Sequence, residues 1–107
     1  MITRILAAAA LFAMTFPAAA ASGDAEVGKK KSAPCAVCHG ENGVSPSPEF
    51  PNLAGQHVDY LEASIKHYQN GKRKNPIMQA QVTKLTPKDI ADLSAYFASQ
   101  RGLQLKH

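Results

Sequence analysis

The chain has 107 residues, a formal net charge of +4 at pH 7, two cysteines and no tryptophan. That length holds one small domain, which excludes a two-lobed enzyme or a barrel of strands and helices. The two cysteines permit at most one disulfide, and the positive charge is too mild to argue for a nucleic acid partner.

Residues 1–4 include Arg4, residues 5–16 carry no charged side chain, and Pro17 then precedes Ala18-Ala19-Ala20-Ala21. A basic start, an apolar run and small residues describe a secretory signal peptide. Residues 1–21 are therefore expected to be removed and residues 22–107 to form an exported, soluble domain. An uncleaved anchor competes, but residues 5–21 are alanine-rich, broken by proline and barely long enough for ~30 Å of hydrocarbon. No later segment is long and apolar, so stable membrane insertion is not expected. A domain this small usually needs a staple beyond its own core.

The first helix is expected over residues 24–31. Asp24 and Glu26 sit in its opening turn and Lys29-Lys30-Lys31 at its end, which suits the helix dipole. Pro34 stops or kinks it just before Cys35-Ala36-Val37-Cys38-His39. Residues 40–55 are rich in proline and glycine and read as a loop long enough to wrap around something.

A second helix follows from about residue 57 to 70. Val58, Leu61, Ile65 and Tyr68 form its apolar stripe, and Gly71 is a ready left-handed cap. Residues 72–85 read as a basic loop containing Met78. The third helix begins with Thr86 as N-cap, Pro87 at the first helical position and Asp89 as the capping partner. Ile90, Leu93 and Phe97 make its buried stripe with Tyr96 beside them, and Gly102 ends it. No segment alternates at period two, so the fold class is all-α.

The sequence Cys35-Ala36-Val37-Cys38-His39 has the spacing of a haem c attachment site. Two intervening residues let one helical turn present both thiols along one porphyrin edge, and the adjacent histidine then faces the ring. Three rivals exist. A thioredoxin-like pair needs a strand–helix–strand context that the chain lacks. Zinc needs four ligands, and His57, His67 and His107 are scattered singly. A plain disulfide explains neither the histidine nor the absence of any other staple.

With the leader gone, Met78 is the one methionine left. A loop methionine is poorly placed as core filler, and its soft thioether favours ferrous iron, which makes it the expected sixth ligand opposite His39. His57 and His67 are the alternatives; His107 is a chain end.

These residues together resemble the monohaem class I cytochromes c, in particular the small bacterial periplasmic kind that also looks like one half of a dihaem cytochrome. Gly23-Asp24, Glu26 and Gly28-Lys29-Lys30 match the opening helix. Phe50 through Gln56 match the loop crossing the proximal side, and residues 89–97 match the closing helix. The resemblance implies a cytochrome c fold, with three main helices and long loops wrapped around one covalently bound haem c. It implies that Pro51 gives its carbonyl to His39, that Gly28 lets the first helix cross the last, and that Gln56, Tyr60 and Arg73 are candidates for the haem propionates. Pro34 before Cys35 and the lack of a tryptophan at the propionates depart from the pattern.

With iron held by His39 and Met78, the expected activity is one-electron transfer in the periplasm, not enzymatic catalysis. The expected partners are redox proteins, membrane reductases or oxidases or dehydrogenases, with acidic faces that meet Lys29-Lys30-Lys31 and Lys72-Arg73-Lys74. The competing readings are a haem protein that binds a small ligand at a displaceable sixth position, and a fixed subunit of a larger redox complex.

Overall fold

The computed structural model describes residues 23–102, so the expected leader and His107 lie outside the described residues. Five helices form among them: α1 (Ala25–Lys31), α2 (Ala33–His39), α3 (Val58–Asn70), α4 (Pro76–Val82) and α5 (Pro87–Ser99). No strand forms among the described residues. The all-α expectation stands.

Local chemistry starts each helix. The Asp24 carboxylate accepts from the backbone N–H groups of Glu26 and Val27, capping α1. Thr86 and Asp89 close a reciprocal capping box at the head of α5, with Pro87 at the first position. At the end of α3, Gly71 takes the left-handed conformation, φ 81°.

Three expectations change. Ser32 ends α1, and Pro34 lies in the first turn of α2, where its missing N–H costs nothing; it starts a helix there. The expected loop around Met78 contains α4, because the Asn75 side chain accepts from the N–H groups of Ile77 and Met78 and Pro76 supplies a helical φ. Finally, α5 stops at Ser99 with Gln100 extended, before Gly102.

The core is small. Ile90, Leu93, Tyr96 and Phe97 on α5 are all buried, and Leu61 of α3 joins the last three of them. Each such side chain contributes about 1.5–3 kcal/mol of burial. Helix α5 is central: α1 and α3 both pack on it, α2 packs on α1, and α4 packs on α3. The packing order α2–α1–α5–α3–α4 therefore leaves α2 and α4 as the two free ends.

The α1–α5 crossing is close because Gly28 has no side chain. A Cβ at this position would overlap the Asp92 carbonyl and come within 2.8 Å of Tyr96 Cβ. A buried carboxylate ties the same crossing. Asp92 accepts from the Asp24 backbone N–H and from the Lys31 and Lys88 ammonium groups, each at 2.8 Å.

Candidate functional site: an apolar cavity between two short helices

Helices α2 and α4 meet across a cavity of about 590 Å³, within the roughly 300–1,000 Å³ common for cofactor sites. Its apolar lining includes Leu53, Leu61, Ile65, Val82, Leu93 and Phe97. Most of the expected α3 stripe is thus accounted for: only Leu61 is buried by protein, while Ile65 and Tyr68 are half-buried because they line this cavity.

Helix α2 delivers three groups. Cys35 and Cys38 are one helical turn apart on one face, and both line the cavity with His39. The thiols are not bonded to each other. Burial pushes the Cys35 thiol above its ordinary range.

His39 is 7% exposed, and its Nδ1 lies 2.8 Å from the Pro51 carbonyl oxygen. A carbonyl only accepts, so Nδ1 carries a proton, and in the neutral imidazole the lone pair then lies on Nε2. The Phe50 ring meets the imidazole edge-on, centroids 6.5 Å apart.

Hydrogen bonds within the long loop hold Pro51 in place. The Gly43 carbonyl accepts from the N–H groups of Leu53 at 2.7 Å and Ala54 at 3.1 Å, and the Ser45 N–H donates to the Asn52 side chain at 2.6 Å. Gly43 has φ 78° and sits so close to the Phe97 ring and the Ala54 backbone that no side chain fits. The Gly55 N–H then donates to the Phe97 carbonyl at 3.0 Å, tying the loop to α5.

Helix α4 delivers Met78, which is half-buried and lines the same cavity. His57 and His67, the alternative ligands, do not line it. Gln56, Tyr60 and Arg73 do, and the Arg73 guanidinium stacks on the Tyr68 ring at 4.6 Å. In the two basic runs, Lys29, Lys30, Lys72 and Lys74 are exposed. Lys31 is instead engaged by Asp89 and Asp92, at 2.8 Å each.

Three residues escaped the sequence reading. Asp92 is an acid amid the apolar positions of α5 and is 1% exposed, a mismatch that could have marked it. Ser94 is also 1% exposed and lines the cavity, with no hydrogen-bond partner for its hydroxyl; a serine in a helix gives no sequence signal for this. Gln69 donates to the Val82 carbonyl at 2.8 Å and the Leu85 carbonyl at 2.9 Å.

The donor set suits a haem. An imidazole held by its far nitrogen and a soft thioether enter one apolar cavity, and two thiols spaced for a porphyrin edge stand beside the imidazole. The fold and site thus define a haem-binding cytochrome c domain.

The comparisons agree with that class. Residues 25–101 match the family model described as cytochrome c. The chain is 47% identical over 81 residues to cytochrome c4 of Pseudomonas aeruginosa, covering 76% of this chain and 40% of that protein. It is 44% identical over 82 residues to cytochrome c-554(548) of Halomonas halodenitrificans, covering 74% of this chain and 99% of that one. The crystal structure of reduced recombinant cytochrome c4 from Pseudomonas stutzeri superposes with a TM-score of 0.72 at 40% identity, over 76% of this chain and 47% of that one. This chain belongs to the cytochrome c family, with a cytochrome c fold and covalently bound haem c as its cofactor. It spans less than half the length of the cytochromes c4 and corresponds to one half of such a dihaem protein.

Proposed function

We propose that residues 22–107 act as a periplasmic one-electron carrier, exported by the leader at residues 1–21. In this reading Cys35 and Cys38 would hold haem c covalently, His39 and Met78 would hold its iron, and the Pro51 carbonyl orients His39. The observation that carries the reading is the delivery of an oriented imidazole and a soft thioether to one apolar cavity by two helices at opposite ends of the packing order.

When bound, haem c supplies a one-electron Fe(II)/Fe(III) couple. The chain's own residues decide how that couple is used. Pro51 holds the Nδ1 proton of His39, which keeps the Nε2 lone pair directed and the imidazole electron-rich. The Met78 thioether favours the ferrous state and raises the potential. His39 and Met78 would together hold the iron and would leave no position on it for a substrate or a small ligand. The apolar lining excludes water, and Gln56, Tyr60 and Arg73 stand at the cavity as donors for carboxylates.

The exposed Lys29, Lys30, Lys72 and Lys74 support docking to acidic faces of redox partners. The alanine-rich leader supports export. Among the described residues no helix is long and apolar enough to cross a membrane.

A redox titration with carbon monoxide added to the reduced protein tests the reading. A single reversible one-electron transition, with a reduced spectrum indifferent to carbon monoxide, is expected. Rapid carbon monoxide binding at neutral pH would instead assign the domain to small-ligand chemistry.

A further inference from the structure

Helix α4 has little to hold it. It is one of the shortest helices in the fold, with only seven residues, and it packs on α3. A helix this short is not stable alone, and its last carbonyls have no partners within the helix. Its start is secured by the Asn75 side chain, which accepts from the Ile77 and Met78 N–H groups at 3.1 Å each. At its far end the Thr83 N–H and hydroxyl donate to the Gln79 carbonyl and the Leu85 N–H donates to the Val82 carbonyl at 3.1 Å, and one side chain from the last turn of α3 ties that end to its neighbour. The Gln69 amide nitrogen donates to the carbonyls of Val82, the last residue of α4, and Leu85, just beyond it. Both partners only accept, so the amide must present its nitrogen and use both of its hydrogens.

Met78 and Val82 are four residues apart and share one face of α4, and both line the cavity. Gln69 does not line it. It therefore acts on the site only through the helix it grips. We infer that Gln69 is a positioning residue for Met78: its two hydrogen bonds hold α4 at the depth where the thioether reaches iron, and so set the balance between bound and detached methionine. The inference rests on the assignment of Met78 as axial ligand and deepens it.

The test is competition by imidazole added to the ferric holoprotein, because an external ligand binds only when Met78 has let go. Gln69→Met keeps the side-chain length and removes both donors. Its apparent imidazole affinity is expected to rise about tenfold, the effect of losing roughly one to two net hydrogen bonds from the methionine-bound state. Gln69→Lys, which restores a donor, is expected to return the affinity toward that of the unaltered protein. Asp24→Ala removes the cap of α1, far from α4 in the packing order. It should lower the thermal midpoint and leave imidazole affinity unchanged, which separates positioning from general destabilisation.

Equal imidazole affinity in Gln69→Met and the unaltered protein overturns the inference. So does a rise of the same size in Asp24→Ala. Met78→Ala identifies which assignment has failed: it must itself bind imidazole far more tightly. If it does not, Met78 is not the ligand and the role of Gln69 falls with it. Should Gln69→Met not accumulate, Gln69→Ala and Gln69→Lys carry the same comparison.

Discussion

The Nζ of Lys31 on α1 stands 2.8 Å from Oδ2 of Asp92 on α5, and the Asp92 carboxylate is almost sealed from solvent. The same ammonium reaches Asp89 at 2.8 Å. Lys31, then Lys88 and the Asp24 N–H, hold the Asp92 carboxyl far below the usual carboxylate range. Lys31, then the backbone N–H and hydroxyl of Thr86, lower Asp89 to about 2. Lys31 is itself raised, first by Asp89 and then by Asp92.

These shifts set a pH window for stability. A carboxylate whose folded pKa is depressed stabilises fully above its unfolded value, ~3.9, and loses that contribution as pH falls toward the folded value. The thermal midpoint should fall steeply below about pH 4. On the alkaline side, the raised Lys31 contributes fully below its unfolded value, ~10.4, and loses its contribution above it. Asp92→Asn should lower the midpoint at neutral pH and flatten the acid limb. An acid limb unchanged in Asp92→Asn would remove Asp92 from the account.

Gly28→Ala tests the closeness of the α1–α5 crossing. The new methyl would overlap the Asp92 carbonyl and press on Tyr96, so the helices must separate. Chemical denaturation should report a loss of about 1–3 kcal/mol, the usual cost of overpacking. A variant as stable as the parent would show that the crossing can relax freely.

Pro51→Ala separates the role of the backbone carbonyl from that of the ring. The acceptor for His39 is the main-chain oxygen, which alanine retains. The visible spectrum and potential should persist, while stability falls by up to about 1 kcal/mol as the unfolded chain gains freedom. Loss of the histidine-ligated spectrum would mean that the proline ring itself holds the loop in register.

Met78→Ala should open a coordination position. Carbon monoxide then binds the reduced protein, and the potential falls by on the order of 0.1 V within the ~0.8 V span that axial ligands command. An unchanged potential would contradict thioether ligation.

Much of this was readable along the chain, and what was not has a physical cause. Thr86, Pro87 and Asp89 announce α5 because capping is local chemistry. Cys35, Cys38 and His39 lie within five consecutive positions, so a short stretch of helix suffices to express their spacing. Helix α4 was hidden because seven residues show no apolar period, although Asn75-Pro76 carries its start signal. The acid among apolar positions could have marked Asp92 as unusual, but not what it ties, because its partners Lys31 and Asp24 lie 61 and 68 positions away. Gln69 looked like any polar residue near a helix end, since its acceptors become neighbours only once α4 folds back on α3.

Methionine ligation can be read directly by proton–carbon NMR after labelling methionine methyl groups with ¹³C. Met1 and Met14 fall within the expected leader, so removal of that leader leaves Met78 as the single label. In the reduced state, the account predicts one labelled methyl resonance displaced far upfield by the ring current of the porphyrin it faces. A resonance at the position of a methionine in an unfolded chain would contradict it.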